Sequence, residues 1–200
     1  RLRFSFEAGN LNFIASASFQ PRLQADTKRL KMSPEPRIVI EAAGQKALLN
    51  RKKGFHCSES VFLAINDTFK ITDPSMVKMV TGFHGGGGTH RKSPDVDLTQ
   101  TLEKMASGQE TRSGDDLPVT QVGHLCGALA ASMVCIGLLY GRESGSEDLT
   151  CVDELCYELH RRFETKLGEN ECRHLFPKWQ AVSANNNCEY VYQTASELAV

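Results

Sequence analysis

"VGHLCGALAASMVCIGLLYG", residues 122–141, runs for twenty positions without a formal charge. A stretch of about 20 apolar residues can cross a bilayer. Gly123 with Gly127, and Gly137 with Gly141, even supply the G-x-x-x-G spacing at which membrane helices pack. The flanks argue the other way. A polar segment with Asp115 and Asp116 precedes the stretch, Arg142 and Glu143 follow it, and no second hydrophobic stretch of similar length exists in the chain. Its Gly and Ala content also lowers its hydrophobicity. It therefore reads as the buried Gly/Ala-rich central helix of a compact all-α bundle, with no membrane span. The two glycine pairs then read as close helix contacts. Nine steps of about 100° separate Cys126 from Cys135, which puts them on opposite faces of that helix, with Cys135 in packing.

Helical patterning continues on both sides. Residues 37–53 read as an amphipathic helix ending in a basic turn, which suits a helix C-terminus. A second helix begins near "CSESVFLAINDTF", with Ser58 as N-cap and Val61, Phe62, Ile65 and Phe69 at helical spacing. "DPSMVKMVTGF" suits a short helix with Pro74 in its first turn. The four glycines 85–88 read as a loop. Residues 91–121 read as a polar, flexible insertion with one helical turn around Leu102–Met105. Beyond the central stretch, Leu149, Val152, Cys156, Leu159, Phe163 and Leu167 mark another helix. A short one through "ENECRHLF" closes at Pro177. A last one opens on Asn187 as N-cap, with Cys188 in its first turn. Strand signals are nearly absent.

Two hundred residues suffice for one self-supporting core. Twenty-three basic and twenty-four acidic side chains balance, so no electrostatic footprint for nucleic acid exists. The first 31 residues carry six basic and two acidic groups and are similar in composition to a transit peptide. Residues 1–35 are read as a disordered or non-native extension, with a targeting peptide as the alternative and Met32 as a sensible natural start.

Seven cysteines, Cys57, Cys126, Cys135, Cys151, Cys156, Cys172 and Cys188, form no C-x-x-C, haem or zinc-ribbon pattern. A disulfide scaffold does not suit a chain so rich in Leu, Val and Ala. A reducing, cytoplasmic compartment does. Cys135, Cys151 and Cys156 read as structural. Cys57 falls at a helix start, whose partial positive charge stabilises a thiolate and lowers its pKa. Small residues flank Cys126, so a backbone or a small cofactor can approach its sulfur. His56, His124 and His174 each lie within two positions of Cys57, Cys126 and Cys172.

"GFHCSESVFLAI", "TGFHGGGG", "CGALAASMVCIGLLYG", "ENECRHL" and a late Cys188 ahead of "VYQTASELA" come in the order of the C_GCAxxG_C_C family, small helical redox proteins. The chain resembles that family from about residue 38 to 199. The resemblance implies a four-cysteine site of Cys57, Cys126, Cys172 and Cys188. It makes Gly85, Gly86, Gly87 and Gly127 candidates for cofactor binding. Two departures stand out. Ala131 replaces the final glycine of the CGA motif, and about 30 residues separate the glycine run from that motif, where the family has several. A longer loop costs little, since doubling its length adds only ~0.6 kcal/mol of closure entropy.

Two kinds of chemistry follow from four cysteines. In thiol–disulfide exchange, Cys57 attacks and a second cysteine resolves the intermediate. In electron transfer, the four thiolates hold an iron–sulfur cluster, or less readily zinc. Either implies a redox partner protein, and the small-residue faces allow a homodimer. The competing reading is a helical structural or interaction module whose cysteines only pack. The glycine run lacks the Lys and Ser/Thr of a P-loop, so a phosphate cradle is a poor reading of it.

Overall fold

The computed structural model describes residues 35–91, 98–108, 119–184 and 187–200. Contacts divide the chain into Arg1–Pro36 and Arg37–Val200, and the second unit carries the fold described below. The extension read over residues 1–35 lies, apart from Glu35, outside the described residues.

Helix α1 (Pro36–Lys52) ends on Arg51 and Lys52, cations that complement its C-terminal dipole. Helix α2 (Cys57–Phe69) begins earlier than its sequence suggests. Glu59, at the third position, accepts the His56 backbone N–H at 2.9 Å and makes His56 the N-cap. Ser58, the expected cap, is instead buried in the first turn. Lys70 in the left-handed conformation ends α2, and the Asn66 side chain secures the turn by donating to Thr72 O and accepting from Thr72 N. A 3-10 turn (Pro74–Val77), capped by Asp73, leads into the short α3 (Lys78–Thr81).

The glycine run is a 3-10 turn (His84–Gly87) with φ of 60°, 79° and 75° at Gly85, Gly86 and Gly87, values that glycine alone adopts readily. Two short antiparallel strands follow, β1 (His90–Arg91) and β2 (Val119–Gln121), pairing His90 with Gln121 and Arg91 with Val119. Between them lies α4 (Leu98–Ala106), longer than the single turn expected there. Residues 92–97 and 109–118 of the insertion are outside the described residues.

The central helix α5 is Gly127–Tyr140, shorter than the uncharged stretch that contains it. It packs on α2 most extensively, and also on α6 (Thr150–Leu167) and α8 (Glu189–Ala199). Ala128, Leu129 and Ala131 are fully buried against Val61, Phe62, Ile65, Phe163 and Val191. The core thus closes around a helix of small residues. Ala131 takes up its extra methyl inside this core, with no exposed surface. Helix α7 (Cys172–Val182) runs through Pro177, where the sequence places its end. The proline removes only the one N–H that would reach back a turn. Trp179, beyond it, packs against the core and carries the helix onward. Cys188 is the N-cap of α8, one position later than the cap expected at Asn187. Asn187 still helps, since its Oδ1 accepts the Glu189 N–H at 2.9 Å.

The fold is all-α, a helical bundle around a buried Gly/Ala-rich helix, with one small strand pair attached. No helix among the described residues is long and apolar enough to cross a membrane.

Candidate functional site

Four helices point their N-termini at one place. Cys57 is the first residue of α2 and Cys172 the first of α7, while Cys126 and Cys188 are the N-caps of α5 and α8. All four thiols line a single cavity of about 40 Å³. The sequence put Cys57 and Cys188 at helix starts but placed Cys126 and Cys172 inside helices. The structure corrects both placements.

Backbone pairing sets two of them side by side. Leu125 and Glu171 form an isolated antiparallel bridge. The Cys126 N–H donates to Asn170 O at 2.9 Å, and the Cys172 N–H donates to His124 O. The glycine turn is tied to the same rung, because the Gly123 N–H donates to Gly85 O at 2.7 Å. Missing side chains then let the pieces close. A Cβ on Gly127 would lie 2.3 Å from the Phe83 carbonyl oxygen and 3.0 Å from Cys57 Sγ. A Cβ on Gly86 would lie 2.8 Å from Cys172 Cβ, and one on Gly123 would lie 2.1 Å from Gly86 O. Close approach therefore accounts for Gly86 and Gly127 in structural terms, while Gly85 itself lines the cavity. Gly87 is exposed and contributes its left-handed conformation.

Of the two G-x-x-x-G pairs, only Gly123 and Gly127 make close contacts around the site, and Gly123 does so ahead of the helix. The Gly137–Gly141 pair is corrected. A Cβ on Gly137 would meet nothing within 4 Å, and Gly141 touches only its own helix end as C-cap. Cys135 is in the core, Cys156 is partly buried and Cys151 is exposed, so none joins the four.

Burial governs the thiols. It raises the Cys57 pKa above its ordinary value, against the lowering expected from the helix start alone. The backbone N–H groups of Gly85 and Ser58 do oppose that rise, by less than desolvation contributes. Burial also raises Cys126, helped by the nearby Cys57 and Cys172, and pushes Cys172 and Cys188 up to about 12. Cys126, Cys172 and Cys188 are each raised further by charge on others of the set, so ionising one makes the next harder. At neutral pH the site holds protonated thiols.

The cavity also holds groups that the sequence reading did not assign. His84 lines it, and its ring stacks on His56 at 3.9 Å between centroids. Tyr192, buried by all but 8% of its surface, lies one helical turn after Cys188. That i, i+4 spacing was the available signal for Tyr192. The signal for His84 was its place against the glycine run. His124 and His174 turn outward instead, to Glu171 at 3.9 Å and Glu169 at 3.0 Å.

The family model for C_GCAxxG_C_C, described as "Putative redox-active protein", matches residues 98–200, just over half of the chain. The chain belongs to the C_GCAxxG_C_C family. The match covers Cys126, Cys172 and Cys188 but not Cys57, which joins them through the shared cavity. No curated protein and no solved structure matches the chain.

A four-cysteine set has the donor chemistry of an iron–sulfur cluster or a zinc site. As arranged, the side chains do not form a closed single-ion zinc site. Among the described residues no three Cys, His, Asp or Glu side chains are grouped as one metal ion requires. The cavity, at about 40 Å³, exceeds the ~10–15 Å³ needed to admit one water, so it has room for small molecules.

Proposed function

We propose that this C_GCAxxG_C_C protein stores and passes electrons through Cys57, Cys126, Cys172 and Cys188, cycling between dithiol and disulfide. The observation that carries the reading is the convergence of four buried thiols on one small cavity. Each cycle removes two electrons and two protons from a pair of thiols and forms one S–S bond. A reductant of thiol class returns them. Cys57 is the best placed first nucleophile, because helix α2 and two backbone N–H groups face its sulfur.

Anaerobic purification followed by thiol titration tests this. Mild oxidation should remove thiols two at a time, with peptide mapping locating the bridges within the set of four. A dithiol reductant should restore them. Stoichiometric iron and sulfide with visible absorbance would overturn the dithiol reading. Oxidation confined to Cys151 would overturn the site.

A further inference from the structure

We propose that the oxidant this site accepts is a small hydroperoxide, reduced at Cys57 with His84 moving the proton. The inference rests on the dithiol reading above and adds its substrate class.

Size is the first argument. Cys57, Cys126, Cys172 and Cys188 keep 9%, 5%, 7% and 8% of their surface open, and they border a space of about 40 Å³. A protein disulfide, or even glutathione disulfide, cannot bring its sulfur in line with any of them without opening the core. Hydrogen peroxide, scarcely larger than water, fits that space.

Proton supply is the second. Burial keeps the thiols protonated, so attack on an O–O bond needs a base beside the sulfur. Among the described residues lining the cavity, His84 is the one side chain that ordinarily titrates near neutrality. It immediately precedes Gly85, whose N–H faces the Cys57 sulfur. Its ring stacks on that of His56, the residue before Cys57. The loop thus brings the His84 ring and the anion-stabilising Gly85 donor to the cavity that holds this thiol.

His84 takes the Cys57 proton, and the thiolate sulfur attacks one peroxide oxygen. An S–O bond forms, the O–O bond breaks, and the departing oxygen receives the proton from His84 and leaves as water. Cys57 is now a sulfenic acid, oxidised by two electrons. A second thiol of the cavity attacks its sulfur, forms the S–S bond and releases a second water. Two equivalents of a small external thiol then reduce the disulfide and become a disulfide themselves.

The test uses the full reduced chain under anaerobic conditions, with hydrogen peroxide, cumene hydroperoxide and glutathione disulfide as probes. Thiol loss is followed by stopped flow, and sulfenic acid is trapped with dimedone in a denaturing quench at timed points. Hydrogen peroxide should react about a hundredfold faster than with free cysteine, the range a positioned acid–base group supplies. The two larger oxidants should lag far behind it, and the dimedone adduct should map to Cys57. His84→Gln should lose most of the peroxide rate while prolonged exposure to excess hydrogen peroxide still closes the disulfide. His84→Asn with an unchanged circular dichroism spectrum separates this effect from misfolding. Peroxide no faster than with free cysteine, equal rates for the bulky probes, or an adduct on another cysteine would each overturn the proposal. If prolonged mild oxidation still forms a bridge within the set of four in those cases, the dithiol reading stands alone. If no oxidant forms one, both fall.

Discussion

Raising the pH should destabilise this protein through its thiols. Cys135, Cys172 and Cys188 have pKa values lifted by burial from the ordinary 9.0 to about 12. A raised folded-state pKa gives stability that is complete below the unfolded value of 9.0. That stability is lost as pH climbs from there towards 12. At pH 10 the unfolded chain has ionised these thiols while the folded chain has not. Each then contributes a loss of ~1.4 kcal/mol, and the three together ~4 kcal/mol. That is a large share of the 5–15 kcal/mol typical of a domain. Cys57 and Cys126 are shifted in the same direction and add to it. Urea titration of the reduced protein at pH 7.5 and pH 10 reads this directly. With a slope near 2 kcal/mol/M, the midpoint should fall by ~2 M. Cys135→Ala should remove ~1.4 kcal/mol of the pH dependence, because Cys135 is buried away from the cavity. A midpoint that stays within a few tenths molar across that range would refute neutral, buried thiols. A Cys135→Ala variant as pH-sensitive as the parent would do the same.

Gly127→Ala should lower the melting temperature, with overpacking of about 1–3 kcal/mol, because its methyl meets the Phe83 carbonyl and Cys57 Sγ. Gly87→Ala should cost less, about 1–2 kcal/mol, for its left-handed backbone alone. Equal losses from the two would deny the close contact at Gly127. Phe163→Ala, at a fully buried position, should cost about 3–5 kcal/mol in chemical denaturation. Glu158→Gln should cost under about 1 kcal/mol, although Arg161 and Arg162 hold its carboxyl down at about 2, since that cluster is exposed and screened. Iodoacetamide applied to the native reduced protein should modify exposed Cys151 well before the four cavity thiols, as read by peptide mass spectrometry.

The helices were legible because their apolar residues recur at helical spacing. The spacing of Val61, Phe62, Ile65 and Phe69 locates α2, and that of Leu159, Phe163 and Leu167 locates α6. Cys57 was legible as a helix start for the same reason. What escaped depends on contacts between distant segments. The Leu125–Glu171 bridge makes Cys126 a cap and aligns it with Cys172, and no local pattern announces such a bridge. The pKa direction at Cys57 was misread because a helix dipole is a local property, whereas desolvation comes from the packed fold. Pro177 was overread as a stop, because a helix held by tertiary packing tolerates one missing hydrogen bond. His84 stands beside the glycine run in sequence, but only folding brings its ring to the cavity.

The strand pair has a practical consequence. His90 pairs with Gln121 and Arg91 with Val119, so the segment between them leaves and re-enters the domain at the Arg91–Val119 rung. Strands so paired lie about 5 Å apart. To the bundle, whatever lies beyond that rung is a graft with a closed base. Its length and content can change while Gly85, Gly123 and the cysteines keep their register. A reporter domain spliced beyond the rung would therefore ride on the protein at the threshold of its thiol cavity.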